Sequence, residues 1–245
     1  LRVFERRSLD RIAGISKLRN DERDEMRAVS AVLPFRVNDY VLDELIDWSA
    51  VPHDPIFQLT FPQRHMLEPD DFARMSRLVR AGNDGDVRAA ARQIQLRMNP
   101  HPAGQVELNA ACAYGARLDG VQHKYREAVL FFPSQGQTCH SYCSYSFRWP
   151  QFVGLDDLKF AATESDSLVA YLRTQPDVTN VLFTGGDPLV MRTHVLTRYI
   201  QPLLDVDHVS TIRLGTKAPA YWPHRFVSDS DADDLLRLFE RVVKS

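Results

Sequence analysis

Two cysteines in the middle of the chain have a spacing that suits chemistry. Cys139 and Cys143 are separated by three residues in the segment TCHSYC. Thiolates are soft ligands, so this loop could hold an iron–sulfur cluster or another soft metal, and the spacing alone does not choose between them. A simple zinc site would use Cys139, His140 and Cys143. The third cysteine, Cys112, lies among small residues that indicate a structural role.

Two further loops carry residues that can contact a small molecule. The first reads Thr184-Gly185-Gly186-Asp187-Pro188, and the second reads Gly215-Thr216-Lys217-Ala218-Pro219. A backbone without side chains can approach a ligand closely, and a carboxylate can accept hydrogen bonds from an amine. A tight turn from strand to helix would need the same glycines without any ligand, so the double glycine alone leaves both interpretations open.

The elements around these loops predict a parallel sheet. Short apolar runs at 128–132, 181–183 and 209–214 are typical of strands buried on both faces. Helical patterns follow them at 165–175, 194–204 and 231–243. Alternating strands and helices are typical of βαβ units. The cysteine loop and the two glycine-containing loops follow the carboxyl ends of the strands, where parallel α/β folds place their chemistry.

The first half of the chain reads as helical. Helices are predicted over 21–32, from Asn38 to Trp48, over 69–81 and over 86–98. Residues 99–125 contain several prolines and glycines and are predicted to be loop-like. We therefore expect a helical N-terminal region at 1–125 and an α/β region at 126–245. The arginines of the last two helices are better explained as a solvated face than as a phosphate site, because the net charge is close to zero.

Composition excludes several classes of protein. The 245 residues are 44% hydrophobic and 25% charged with a net charge of -2, which is typical of a globular domain and not of a disordered or collagen-like chain. The missing basic excess argues against nucleic acid as a partner, and no apolar run approaches the roughly 20 residues that span a bilayer. The charged start LRVFERRSLDR predicts no secretory signal, and three cysteines do not make a disulfide framework. These features predict a cytoplasmic protein with no membrane partner.

Four segments together resemble one group of enzymes. The combination of a cysteine loop after the first strand and a Gly-Gly-acid-Pro loop after the second resembles the radical S-adenosylmethionine enzymes. The longer stretches resemble the lysine 2,3-aminomutase-related family within them. The resemblance is carried by DPIFQLTFPQR (54–64), DGVQHKYREAVLFFPSQGQTCHSYCSYSFRWPQF (119–152), VLFTGGDPLV (181–190) and IRLGTKAPAYWPHRF (212–226).

The resemblance implies a fold and a reaction. The family folds as a partial (β/α) barrel of six units, and its motif C-x3-C-x2-C holds a [4Fe-4S] cluster with one open iron. S-adenosylmethionine chelates that iron, and an external electron donor reduces the cluster. Cleavage of the cofactor then yields a 5'-deoxyadenosyl radical that abstracts hydrogen from a small, amino-acid-like substrate. At roughly 35 to 40 residues per unit, the chain after residue 126 has room for about three of the six units.

The resemblance also assigns roles to individual positions. Cys139 and Cys143 match the first two cluster ligands, and Ser146 stands at the third. The other matches are Tyr145 near the adenine, Thr184, Gly185, Gly186 and Asp187 at the amino group of the cofactor, and Arg148 at the substrate carboxylate.

Two departures from the family pattern keep other functions open. The Ser146 hydroxyl is less acidic and harder than a thiol, so a cluster would be held weakly. The lysine that holds pyridoxal phosphate in the aminomutases lies in a later segment, and Lys217 does not match it, so this cofactor is not assigned. Whether the chain is an active isomerase stays open. The alternatives are a simple zinc protein and a non-catalytic scaffold, whose open strand edge would need a second copy or the missing C-terminal part.

Overall fold

The contacts between residues divide the chain into two compact units. The computed structural model describes residues 1–98, 108–113, 115–145 and 159–245. The N-terminal unit comprises Leu1–Pro100 with His140–Gly154, and the C-terminal unit comprises His101–Cys139 with Leu155–Ser245. The boundary expected at 125/126 stays a prediction.

The described part of the N-terminal unit combines a small antiparallel ribbon with helices. Strands β1 (Val3–Glu5) and β2 (Arg36–Asn38) pair with each other. The helices are α1 (Asn20–Val29), α2 (Pro55–Thr60), α3 (Pro69–Ala81) and α4 (Asp84–Met98). The helices predicted over 21–32, 69–81 and 86–98 are thus confirmed, and their apolar faces share one core that includes Val29, Met75 and Ile94.

The helix predicted from Asn38 is shorter than its pattern indicates. Asn38 caps it as expected, because its side-chain Oδ1 accepts from the Val41 N–H at 2.9 Å. The chain then makes a short π-helical turn over Val41–Leu45 and turns away before Trp48. The Trp48 ring instead packs edge-on against Phe57 and Phe61.

A five-stranded mixed sheet carries the C-terminal unit. Its strands are β3 (Ala110–Ala113), β4 (Ala116–Tyr125), β5 (Ala128–Phe131), β6 (Asn180–Phe183) and β7 (Thr211–Leu214), in that spatial order. The parallel arrangement predicted for the last three strands is confirmed, whereas β3 and β4 are antiparallel. The helices are α5 (Asp166–Leu172), α6 (Thr193–Ile200), α7 (Ala218–Tyr221), α8 (His224–Val227) and α9 (Ala232–Lys244). The α/β fold class is confirmed, and the number of barrel units stays a prediction.

The loop predicted over 99–125 is wrong for residues 110–113 and 116–125, which form β3 and β4. The prediction took Gly115 and Gly120 as loop signals. Gly115 has φ 77° and lies in the turn between the two strands. Gly120 lies within β4, where a Cβ atom would be 2.4 Å from the Ala162 backbone nitrogen. A glycine inside a strand can therefore mark a close backbone approach and not a loop.

Buried side chains on the parallel strands hold the sheet against its helices. Val129, Phe131, Val181 and Phe183 are each 0% exposed and pack in one core with Leu196 of α6. Fully burying such a side chain contributes about 1.5–3 kcal/mol. Since β5, β6 and β7 are parallel neighbours, their carboxyl ends meet at one edge and bring the three following loops together. No helix among the described residues is long and apolar enough to cross a membrane.

Candidate functional site

Numbered by the strands that they follow, the cysteine loop after β5 is the first loop, the loop at 184–188 after β6 is the second, and the loop at 215–219 after β7 is the third. Asp187 connects the first and second loops at the carboxyl edge of the sheet. This residue is 2% exposed. Its backbone N–H donates to the Gly136 carbonyl at 3.0 Å and to the Thr138 carbonyl at 2.7 Å. Both acceptors precede Cys139 in the cysteine loop. The loop after β6 is therefore hydrogen-bonded directly to the loop after β5.

The Asp187 carboxylate connects the second loop to the third. Its Oδ1 accepts from the Leu189 N–H at 2.9 Å and from the Thr216 hydroxyl at 2.7 Å. Its Oδ2 accepts from the Lys217 N–H at 2.8 Å. Because a buried carboxylate needs hydrogen bonds to offset its lost hydration, these donors stabilise the charged form in place.

The double glycine lies against the cysteine loop itself. A Cβ atom at Gly186 would be 2.2 Å from the Thr138 carbonyl oxygen and 2.5 Å from the Thr138 nitrogen. Gly185 has φ 126°, and a Cβ there would be 2.3 Å from Nε2 of Gln137. The Gln137 amide donates to the Pro133 carbonyl at 2.8 Å, and its buried Oε1 has no hydrogen-bond partner among the described residues. The packing of the two loops therefore needs glycine at both positions.

Arg225 donates hydrogen bonds to the backbone that directly follows the second loop. It is 3% exposed, and its Nε donates to the Leu189 carbonyl at 3.0 Å while Nη2 donates to the Met191 carbonyl at 3.2 Å. Its Nη1 lies 2.9 Å from Oδ1 of Asp231. Burial alone would raise the pKa of Asp231, but hydrogen bonds from Thr193 and the Arg225 charge hold that pKa below its usual value.

The second half of the cysteine loop is held within the N-terminal unit. The Tyr142 N–H donates to the Arg36 carbonyl at 2.8 Å, and the Ser144 N–H donates to the Leu59 carbonyl at 3.0 Å. Asn38, which is 0% exposed, donates from Nδ2 to the His140 carbonyl at 3.3 Å. The backbone on both sides of Cys143 is therefore fixed by β2 and α2.

The predicted ligand and cofactor residues differ in exposure. Cys139 and Cys143 are half-buried thiols, and Cys112 is exposed on β3. Thr184, Gly185 and Gly186 are half-buried beside the fully buried Asp187, and Tyr145 is 78% exposed. Ser146 and Arg148 lie outside the described residues. The ligand and substrate roles of all these residues stay predictions.

Sequence reasoning missed three residues that organise the loops. Each acts through contacts with distant segments of the chain: Thr216, Arg225 and Asn38. Of the three, only Asn38 was given an individual role from the sequence, as a helix cap.

Within the described residues, no group of three His, Cys, Asp or Glu side chains is arranged to hold a metal ion. The donor chemistry nevertheless fits two of the three ligand positions of an iron–sulfur cluster, because Cys139 and Cys143 both supply thiols.

Comparison with curated proteins identifies relatives of this chain. A protein of Aquifex aeolicus named "Putative L-lysine 2,3-aminomutase" is 29% identical over 226 residues, which cover 92% of this chain and 49% of that protein. The L-lysine 2,3-aminomutase of Bacillus subtilis is 26% identical over 209 residues, covering 73% of this chain and 43% of the relative. The chain is related to the lysine 2,3-aminomutases. The resemblance read from the sequence is thereby confirmed.

The relationship to the lysine 2,3-aminomutases extends over most of this chain but only part of its relatives. A second Aquifex aeolicus protein named "Putative L-lysine 2,3-aminomutase" is 22% identical over 94% of this chain and 52% of its own length. The chain spans about half the length of these curated relatives. No family model matches the chain.

Proposed function

We propose that this chain takes part in radical S-adenosylmethionine chemistry on a small, amino-acid-like substrate, in the manner of an aminomutase. The observation that carries the proposal is the junction of three loops at one sheet edge, where Asp187 ties the cysteine loop to the Gly-Gly-Asp-Pro loop. The names of the relatives support the same reaction class.

The thiolates of Cys139 and Cys143 would hold the iron–sulfur cluster, with the Ser146 hydroxyl at the third ligand position. Two observations support this assignment of the cysteines: three residues separate them in the sequence, and both are free thiols. When bound, the cluster supplies the electron that cleaves S-adenosylmethionine, and it receives that electron from an external donor. Since thiolates bind soft iron better than a hydroxyl does, Ser146 makes the weakest of the three contacts.

The remaining site residues would bind and orient the organic groups. The backbone of Thr184, Gly185 and Gly186 offers polar groups to the amino end of S-adenosylmethionine, and Asp187 fixes that backbone with its buried carboxylate. The exposed Tyr145 ring offers a face to the adenine. The guanidinium of Arg148 would pair with the substrate carboxylate. Pyridoxal phosphate stays unassigned, because no lysine of this chain matches its site.

Anaerobic reconstitution with iron and sulfide tests the proposal. The variant Ser146→Cys should bind about four iron and four sulfide per chain, and the unaltered chain should bind fewer because its third donor is a hydroxyl. Adding S-adenosylmethionine to the reduced variant should change its electron paramagnetic resonance spectrum. Cys112→Ser in the same background is the matched control and should leave both results unchanged.

Two results would contradict the proposal. One is that neither the unaltered chain nor Ser146→Cys assembles a cluster whose spectrum responds to S-adenosylmethionine. The other is that Cys143→Ala in the Ser146→Cys background loads iron and sulfide as well as its parent. Metal analysis that finds zinc without acid-labile sulfide would favour the simple zinc site instead.

A non-catalytic scaffold is the second candidate function. It is favoured by Ser146 and by β7, which in the described part of the chain pairs only with β6. An open strand edge offers backbone hydrogen bonds to a second copy or to another chain. Size-exclusion chromatography with light scattering should then find a homo-oligomer. A monomer over the whole concentration range would contradict recruitment of a second copy.

A further inference from the structure

The hydroxyl of Thr216 has a fixed direction within the loop junction. Its Oγ1 accepts from the Ala218 N–H at 3.0 Å and lies 2.7 Å from Oδ1 of Asp187. An ionised carboxylate can only accept, so the hydroxyl proton must point to Asp187. The hydrogen bonds therefore run in one direction, from the start of α7 through Thr216 to the carboxylate.

The same carboxylate links the loop of the double glycine to the third loop. The Leu189 N–H bond lies within the second loop and resembles an ordinary Asx turn, so it does not locate that loop relative to the others. The bonds from Thr216 and the Lys217 N–H come from the third loop and do locate it. One residue before Asp187, Gly186 lies so close to Thr138 that no side chain fits between them.

We infer that Thr216 is a positioning residue that acts through Asp187. Its hydroxyl holds the backbone of Gly185 and Gly186 in register with the cysteine loop at Thr138. That register sets the affinity of the site for the amino-acid end of its ligand, which carries an ammonium and a carboxylate group. The link to ligand affinity rests on the proposed function, whereas the link to loop register does not.

Replacement of Thr216 by valine isolates the hydroxyl. Valine keeps the branched shape but leaves Asp187 one donor short and the Ala218 N–H without this acceptor. Thr216→Ser restores the hydroxyl. The matched control is Thr197→Val, because the Thr197 hydroxyl also makes one hydrogen bond, to the Thr193 carbonyl at 2.8 Å within α6.

Hydrogen exchange of the Asp187 amide is the first measurement. This amide donates to Gly136 and Thr138, and the Thr184 amide, which donates to Phe131 at 2.9 Å, serves as the internal reference. Thr216→Val should accelerate Asp187 exchange about tenfold relative to Thr184, the factor expected for loss of one hydrogen bond to a charged group. Thr216→Ser and Thr197→Val should stay within about threefold of the unaltered chain.

Binding of S-adenosylmethionine to the anaerobically reconstituted chain is the second measurement. Thr216→Val should raise the Kd about tenfold, Thr216→Ser should restore it, and Thr197→Val should not change it. The inference is overturned if Thr216→Val exchanges like Thr197→Val, or if Thr216→Ser fails to restore both readouts. If neither the unaltered chain nor Ser146→Cys binds S-adenosylmethionine, the proposed function and the affinity link fail, and the exchange data still decide the link to loop register.

Discussion

At the scale of single residues, the loops of the candidate site are organised by buried charges. Asp187 and Arg225 are 2% and 3% exposed, and each makes hydrogen bonds to more than one segment. A buried charge is tolerated only when such bonds offset its lost hydration. Removing one hydrogen-bonding partner therefore leaves a buried charge without compensation. The resulting loss of unfolding free energy should exceed the loss caused by breaking a surface ion pair.

The ion pair of Arg225 and Asp231 gives a prediction about pH. The pKa of Asp231 is lowered in the folded chain, so its contribution to stability is present above the unfolded pKa of about 3.9 and is lost as pH falls through the folded value. Asp231→Asn should cost about 3 kcal/mol of unfolding free energy at pH 7. The difference from the unaltered chain should shrink at about pH 3, measured by urea unfolding.

An exposed ion pair provides the control for this experiment. Asp234 and Arg237 pair at 2.6 Å with side chains 61% and 67% exposed. Asp234→Asn should change the unfolding free energy much less than Asp231→Asn does, because solvent screens the exposed pair. An Asp231→Asn deficit of the same size at both pH values would contradict the role of the ionised carboxylate.

The sequence alone predicts the role of a residue only when that role depends on neighbouring positions in the chain. The half-buried thiols of Cys139 and Cys143 and the buried Asp187 fall in segments whose composition already pointed to a site. Asn38 was predicted as a helix cap, and it is one. Its second bond joins it to His140 across 102 positions of the chain, and no pattern in one sequence encodes that contact.

At the scale of elements, the parallel strands were predictable and the hairpin before them was not. β5 and β6 were recognisable as short continuous apolar runs, and every second residue of each strand is fully buried in the core. In β4, charged and polar residues alternate with few apolar ones, and exposed positions dominate its first half. Its place in the sheet depends on pairing with β3 and β5, which is a tertiary property.

The contact between the second loop and the cysteine loop predicts a cost for any side chain at Gly186. Gly186→Ala would place a Cβ 2.2 Å from the Thr138 carbonyl oxygen, which belongs to the backbone and cannot rotate away. We expect a loss of about 3 kcal/mol in the free energy of unfolding, measured by urea denaturation, because the loops must separate.

Gly85 in α4 is the matched position for this substitution. A Cβ there would meet only the Asn83 Oδ1 atom, at 3.3 Å. Gly85→Ala should therefore change stability by less than about 1 kcal/mol. Equal effects of the two substitutions would show that the packing against Thr138 does not limit the second loop.

At the scale of the whole molecule, the N-terminal unit holds the backbone around Cys143, which belongs to the same unit. Residues on both sides of Cys143 hydrogen-bond to Arg36 and Leu59 of that unit. The unit was expected as a helical region preceding the barrel, and its role in holding the loop was not predicted. Such a role depends on how distant segments fold back on each other, which composition and periodicity do not report.

Destabilising the N-terminal unit should therefore loosen the backbone around Cys143. Met75 is 0% exposed in the core of that unit, and Met75→Ala should cost about 2–5 kcal/mol. Hydrogen exchange of the Tyr142 and Ser144 amides should accelerate, whereas the Thr184 amide of the C-terminal unit should change less. Leu196→Ala, in the core of the C-terminal unit, should give the opposite pattern. Equal acceleration in both variants would mean that the two units unfold together.

The fit of Gly186 against Thr138 has a consequence for how this lineage changes over time. A mutation that adds a side chain at Gly186 is harmful to folding before it is harmful to any reaction. Selection for a folded chain is therefore enough to retain the glycine, even in descendants that no longer use a cofactor. The close approach to the neighbouring backbone gives the position of Gly186 no freedom to accept a side chain. In this group of proteins, loss of activity should thus appear first among the metal ligands and last in the Gly-Gly-Asp-Pro loop.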